Sequence, residues 1–219
     1  MKILITGTTT GIGRAIALRF LSSGHNVIGI DRLESSIEDR NYQHYRLDVR
    51  DKDNFPQLDS IDILINNAGT QNEDDININL RGVINITEKY AFQPSIKSVL
   101  MIGSASAHTG AEFPEYAASK GGLLAYTKNV AIRLAEKYQA TCNSLDPGGV
   151  LTDLNKPVIE DTESWNEIMK LTPLKRWATP EEIADWAYFL TVTNKFCTAQ
   201  NILVDGGEAA NFKFVFPGY

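Results

Sequence analysis

Cysteine is scarce in this chain of 219 residues: only Cys142 and Cys197 occur, and they form no CxxC pair. Nothing in that usage points to an oxidising compartment. The chain also opens directly on the strand-like Lys2-Ile3-Leu4-Ile5-Thr6 instead of a signal peptide, so cytoplasmic residence is expected. Long apolar runs are missing as well. The longest, such as residues 61–65 with its one Asp, are strand-sized and far short of the ~20 residues of a membrane helix, so no membrane partner is expected. Positive charge is the minority sign, with 21 Lys and Arg against 27 Asp and Glu for a net charge of -6. A nucleic-acid partner is therefore disfavoured, because phosphate-backbone binders present a basic face. No low-complexity tract and no internal repeat interrupts the chain, and its longest run of like charge is Glu73-Asp74-Asp75.

What remains is a chain of 43% hydrophobic residues in which short apolar runs alternate with helix-length segments from end to end. That alternation is the pattern of repeated βα units on a mostly parallel sheet covered on both faces, in one domain spanning residues 1–219. Strands are expected over residues 2–6, 26–30, 42–47, 61–65, 98–103, 141–145 and 201–204, which makes about seven. Helical periodicity covers residues 12–23, stopped by Gly24, and residues 116–138. Thr179-Pro180-Glu181-Glu182 starts a further helix, with Thr179 as N-cap, Pro180 at N1 and Glu182 completing a capping box, running to about Leu190. Residues 152–178, which carry Trp165 and Trp177, show the least regularity and are expected to form a lid.

Thr6-Gly7-Thr8-Thr9-Thr10-Gly11-Ile12-Gly13 joins the first strand to the first helix. Glycines there let backbone N–H groups approach a pyrophosphate, and the helix N-terminus adds partial positive charge. The spacing is GxxxGxG, not the GxGxxG of the general dinucleotide fingerprint, so its position in the chain carries the reading. The alternative is a turn whose glycines serve only strand-to-helix geometry. Asp31 closes the second strand, where a carboxylate accepts hydrogen bonds from ribose hydroxyls and repels a 2′-phosphate. NAD is thus preferred over NADP, with Arg32 as the opposing influence.

Tyr116 and Lys120 lie four apart on one helix face, so their side chains can meet. A phenol, ordinarily with a pKa near ~10, becomes a working acid/base when a neighbouring ammonium favours its phenolate. Ser104, at the end of the fifth strand, is placed to bond a carbonyl oxygen during hydride transfer. In isolation a Tyr-xxx-Lys pair is as readily a packed ring beside a solvated amine.

Taken together, the glycine segment 6–13, Asn66-Asn67-Ala68-Gly69, Ser104, Tyr116-Ala117-Ala118-Ser119-Lys120, Asn143 with Pro147-Gly148, and Asp205-Gly206-Gly207 resemble the successive motifs of the short-chain dehydrogenase/reductase family over nearly the whole chain. The stretch 177–182 and the ending 203–207 resemble the branch that includes 3-oxoacyl-carrier-protein reductases and sugar-alcohol or steroid dehydrogenases. The resemblance implies an α/β, three-layer, doubly wound Rossmann fold. It also implies an oxidoreductase moving hydride between nicotinamide and a small alcohol or ketone, working as a homodimer or homotetramer. It implies Tyr116 as general acid/base, Lys120 as the group that lowers its pKa and binds the nicotinamide ribose, Ser104 as orienter of the substrate oxygen, and Asn79, in Asn77-Ile78-Asn79-Leu80, as the end of a water relay. Cofactor contacts are implied for Gly7, Thr9, Gly11, Ile12, Gly13, Asp31, Arg32, Asp48, Val49, Asn67, Ala68, Gly69, Pro147, Gly148, Val150 and Thr152; no metal ligand is implied.

The chain departs from the family pattern in places. Only residues 70–78 separate Gly69 from Asn79, a deletion that alters the pocket border and a helix that usually serves a subunit interface. Ser106 is a second hydroxyl two residues beyond Ser104. Asp146 stands where relatives carry a small or neutral residue, and is read either as a turn-capping carboxylate or as a charge beside oxidised nicotinamide. His108 and Glu112 are given no role. The apolar string Phe212-Lys213-Phe214-Val215-Phe216 is a candidate subunit contact, or packs on its own domain. Two other functions remain open on this scaffold: an epimerase or dehydratase that uses nicotinamide only transiently, and a non-catalytic dinucleotide sensor.

Overall fold

The computed structural model describes residues 1–111 and 113–211, so Glu112 and the apolar string 212–216 lie outside the described residues. Seven parallel strands form one sheet in the order β3-β2-β1-β4-β5-β6-β7. They are β1 (Lys2–Thr6), β2 (Asn26–Asp31), β3 (Tyr42–Arg46), β4 (Ile63–Asn66), β5 (Ser98–Ile102), β6 (Thr141–Pro147) and β7 (Asn201–Val204). The order reverses direction between β1 and β4, so the first βα turn and the loop after β4 leave the sheet side by side. Such a switch point opens a crevice at the carboxyl ends of the strands.

Alternation along each strand builds the two faces. Leu4, Ile28, Leu64 and Val99 point to the layer formed by α2 and α4 (Pro114–Tyr138), meeting Ile86, Tyr90, Leu123 and Leu134. Here α2 is one helix in two parts, a π-helical segment Ile76–Gly82 continuing as Val83–Tyr90. Ile3, Ile5, Val27 and Ile65 point to the opposite layer, formed by α1 (Gly11–Ser22) and α7 (Pro180–Tyr188), meeting Ile16, Phe20, Ile183 and Leu190. Because both faces are covered, the central strands read as continuous apolar runs.

Several boundaries differ from the sequence expectation. The fourth strand starts at Ile63, not at residue 61, because the Asp62 carboxylate accepts the Lys2 N–H at 2.8 Å and pairs with Lys97. The sixth runs on to Pro147, since β7 keeps pairing with it there. Residues 152–178 are more regular than expected. A one-turn α3 (Ser106–Thr109) precedes α4, and the stretch 152–178 holds α5 (Lys156–Ile159) and α6 (Thr162–Leu171), the latter capped by Asp161, whose side chain accepts the Ser164 N–H. None of α6 is fully buried; its apolar residues Trp165, Ile168 and Met169 fall on one face and are only half-covered. The capping box of α7 is present with both of its bonds. Among the described residues no helix is long and apolar enough to cross a membrane.

Phe20 is wholly buried between α1 and α7 and touches the Tyr188 ring at 5.2 Å between centroids. Phe20→Ala is expected to cost about 3–5 kcal/mol, read as a lower denaturation midpoint in urea with an unchanged m-value.

Candidate active site

Where β1 and β4 end, the chain is tied together by the side chains of Asn67 and Thr6. The Asn67 amide donates to the carbonyls of Thr6 and Gly7, each at 3.0 Å, while the Thr6 hydroxyl accepts the N–H groups of Asn67 and Ala68. Two glycines make this approach possible. A Cβ at Gly13 would stand 1.9 Å from the Gly7 carbonyl oxygen, and one at Gly7 would stand 2.8 Å from the Asn67 amide nitrogen. Gly7 also has φ +73°, a backbone conformation costly for any side chain.

The crevice beside this knot is a cleft of about 280 Å³. Its floor is made by Gly7, Thr10, Gly11 and Ile12; Asp31, Arg32, Asp48 and Val49 close one end; Asn67, Ala68 and Gly69 form the middle; Tyr116, Lys120 and Thr152 stand at the other end. Thr10, the N-cap of α1, makes no side-chain capping bond, which leaves the first-turn N–H groups open toward an anion. Bare backbone at Gly7 and Gly11, an uncapped helix terminus and a carboxylate at the far end fit the pyrophosphate and ribose of a dinucleotide. The Asp31 carboxylate is held by the N–H groups of Thr9 at 2.9 Å and Leu33 at 3.0 Å. Asp48 is bonded to Arg50, whose side-chain hydrogen bond, acting against burial, draws the carboxyl below its ordinary value.

The sequence reading also puts Thr9, Gly13, Pro147, Gly148 and Val150 against the cofactor; in the structure they stand around the cleft, outside its immediate lining. Thr9 turns its hydroxyl to the Glu34 carbonyl and lines an outer hollow shared with Arg14 and Lys156. Gly13 serves the α1 packing just described. The Pro147 carbonyl accepts the Ala105 N–H, Gly148 packs against Asp205, and Val150 is buried in a single bridge to Ala178. In each case the motif fixes the backbone around the cleft without forming its wall.

At the other end, Lys120 is only 5% exposed. Its Nζ donates to the Ile102 carbonyl at 3.1 Å and lies 5.7 Å from the centre of the Tyr116 ring. Ser104 is buried just beyond Gly103; its hydroxyl accepts the Ser106 N–H at 3.1 Å and is 3.2 Å from the Ser106 hydroxyl. Asn79 is fully buried in the π-helical segment, where such bulges commonly re-aim functional groups. Its Oδ1 accepts the Thr70 N–H at 2.8 Å and its Nδ2 donates to the Thr70 carbonyl at 2.9 Å and to Ser119 on α4. The shortened loop thus closes by bonding Thr70 directly to Asn79. A Cβ at Gly69 would stand 3.1 Å from Asn79 Oδ1 and 3.5 Å from Lys120 Nζ, so Gly69 lets the three groups crowd together.

Asp146 does not follow the turn-capping expectation. It is fully buried, and its Oδ2 meets His108 Nε2 at 2.7 Å, so it caps no turn, and the histidine without a role is its partner. Its Oδ1 has no hydrogen-bond partner and fills the place of a side chain at Gly103, whose Cβ would lie 2.0 Å away. A glycine at the end of a buried strand was the available signal for this pair.

The chain belongs to the short-chain dehydrogenase/reductase family. The family model described as enoyl-(acyl carrier protein) reductase matches residues 7–208. A 3-oxoacyl-[acyl-carrier-protein] reductase of Buchnera aphidicola is 30% identical over 93% of this chain and 95% of its own. Among solved structures, a 4-hydroxyisoleucine dehydrogenase complexed with NADH superposes with a TM-score of 0.88 at 27% identity, covering 96% of this chain and 99% of that one. A putative 2-deoxy-D-gluconate 3-dehydrogenase from Agrobacterium tumefaciens with bound NADP gives 0.86 at 26% identity, with 96% of both chains covered. This protein is accordingly an oxidoreductase that uses a nicotinamide dinucleotide to interconvert an alcohol and a ketone.

Burial pushes the Asp146 carboxyl above its usual 3.8, opposed by the His108 hydrogen bond and by the charges of His108 and Lys120. A folded value above the unfolded one means that this group's contribution to stability is full below pH 3.8 and is lost as pH rises through the folded value. Without His108 the folded value climbs further. His108→Ala is therefore expected to cost about 3 kcal/mol at pH 7 and distinctly less at pH 4, measured by paired denaturant titrations; equal losses at both pH values would count against a charged Asp146.

Proposed function

We propose that this chain is an NAD-preferring dehydrogenase in which Tyr116 is the general acid/base, Lys120 and Asn79 support it, and Ser104 orients the substrate oxygen. The observation that carries the assignment is Lys120, a buried ammonium beside the Tyr116 ring at the end of a cleft that starts at the glycine loop. When bound, nicotinamide supplies or accepts the hydride. Tyr116 Oη gives its proton to the substrate oxygen in ketone reduction and takes one in alcohol oxidation. The positive charge on Lys120 favours the phenolate and so brings proton transfer into the neutral range. Ser104 Oγ holds the substrate oxygen toward Tyr116, and Asn79, bonded to Thr70 and Ser119, keeps the floor beneath Lys120 rigid.

Preference for NAD rests on Asp31. Its carboxylate is fixed by two backbone N–H groups at the cleft's far end, where it accepts bonds from a free 2′-hydroxyl and repels a 2′-phosphate. Arg32, at the same end, works in the opposite sense. Neighbours of the same fold carry NADH in one case and NADP in the other, so the fold alone does not make the choice. Residues 152–178 act as the substrate lid of a single domain 1–219: Thr152, Asp153 and Leu154 form its cleft-facing edge, and Leu154, Leu171 and Leu174 are exposed apolar residues on it. The protein is cytoplasmic and self-associates as a dimer or tetramer, in keeping with the other members of its family.

Titration with NADH and NADPH in parallel is expected to give the tighter binding with NADH; the reverse order would mean that Arg32 outweighs Asp31. Tyr116→Phe is expected to lower turnover about 10²- to 10⁴-fold while NADH binding is retained, and unchanged turnover would remove Tyr116 from the reaction. Sedimentation velocity is expected to show a dimer or tetramer, and a profile of monomer alone refutes self-association.

A further inference from the structure

Gly29 sits in the middle of the buried strand β2, between Ile28 and Ile30, where an apolar side chain would ordinarily pack. A glycine in such a place marks the close approach of another group. Here a Cβ would stand 2.1 Å from the Tyr42 hydroxyl and 2.4 Å from the Thr8 hydroxyl. Those two hydroxyls are bonded to each other at 2.7 Å, and the Tyr42 hydroxyl also meets His44 Nδ1 at 3.1 Å. His44 Nε2 reaches the Leu33 carbonyl at 2.9 Å.

Thr8 belongs to the glycine loop, Tyr42 and His44 to β3, and Leu33 to the turn that follows Asp31 and Arg32. The four residues therefore form a relay that crosses the outer edge of the sheet and joins both parts of the nucleotide end. A carbonyl only accepts, so Nε2 carries the proton facing Leu33; in the neutral ring Nδ1 is then an acceptor, and the Tyr42 hydroxyl donates to it while accepting from Thr8. Thr8 is wholly buried, so its hydroxyl depends on this partner. The relay adds to the ties already on the turn: the Asp31 carboxylate holds the Leu33 N–H, the Asp31 carbonyl accepts the Leu47 N–H at 2.7 Å, and Arg46 donates to the Arg32 carbonyl at 3.3 Å. Both ends of the Leu33 residue are thus fixed, its N–H by Asp31 and its carbonyl by His44.

We propose that Tyr42 and His44 are positioning residues for cofactor choice, fixing the Asp31–Leu33 turn against the glycine loop so that the Asp31 carboxylate, and not the Arg32 guanidinium, meets the 2′ position of the adenosine ribose. The assignment rests on the role given to Asp31 above. Neither residue lines the cleft, so each acts through the turn and not by contact with the nucleotide. Releasing the Leu33 carbonyl frees the turn to rotate, which weakens the bond to a 2′-hydroxyl and lets Arg32 swing toward a 2′-phosphate.

The test is calorimetric titration of NADH and NADPH into the wild type, Tyr42→Phe, His44→Leu and His44→Gln, with melting temperatures recorded in parallel. One hydrogen bond of ordinary strength corresponds to a change of about 3- to 10-fold in affinity. NADH binding is expected to weaken by that factor in Tyr42→Phe and His44→Leu, with NADPH binding unchanged or tighter. His44→Gln, which keeps an N–H donor for the Leu33 carbonyl, is expected to restore much of the ratio. A lower melting temperature with an unchanged NADH to NADPH ratio, or an equal loss for both cofactors, overturns the proposal by reducing the relay to a structural one. Tyr42→Phe keeps the ring and its packing, so it decides the matter if His44→Leu does not fold. A wild type that binds NADPH more tightly defeats the NAD reading of Asp31 alone, whereas the relay stands or falls on whether the ratio moves.

Discussion

Every part of the site depends on the glycine loop lying directly on the end of β4. Two backbone carbonyls and one amide side chain meet there with no room for a single Cβ at Gly7 or Gly13. Buried carbonyls need partners, and Asn67 supplies them from the neighbouring strand. The geometry of the loop is consequently tied to a residue some sixty positions away, through the pairing of β1 with β4.

The same economy of space recurs at the reactive end. Gly69 leaves room for Asn79 and Lys120, and Gly103 leaves room for Asp146. Each missing side chain lets a polar group reach a place where it is dry, and therefore electrostatically effective. Lys120 is held under these conditions by the Ile102 carbonyl, which accepts from it without neutralising it. The centre of the Tyr116 ring, its neighbour on the same helix, lies 5.7 Å from its Nζ, and the Lys120 charge also bears on the Asp146 carboxyl.

Much of this could be read from the chain. The glycine loop, Asp31, Asn67, Tyr116 and Lys120 stand in linear motifs whose chemistry is local, and all of them line the cleft. Thr9, Gly13, Pro147, Gly148 and Val150 share those motifs but stand behind the lining residues, and spacing alone does not separate a residue that lines the cleft from one that braces the backbone around it. His108 with Asp146, and Tyr42 with His44, were not legible, since each pair or its partner comes from segments that meet only through the sheet order. Their trace in the sequence was indirect, in Gly29 within one apolar strand and Gly103 just past the end of another. Helix α6 escaped notice for a different reason: its apolar stripe, Trp165, Ile168 and Met169, is short and only half-covered, and it sits in a stretch broken by Pro157 and Pro173.

The pairing of β1 with β4 joins two halves of the sheet that are otherwise built from separate stretches of chain, with β2 and β3 on one side and β5 to β7 on the other. The cleft draws its walls from both. A dinucleotide seated there bridges the seam like a clasp, and binding to the closed form alone raises the free energy of separating the halves by about 2.7 kcal/mol at a hundredfold excess over its dissociation constant. Cofactor concentration thereby sets, along with turnover, how often the two halves part and expose the backbone between them.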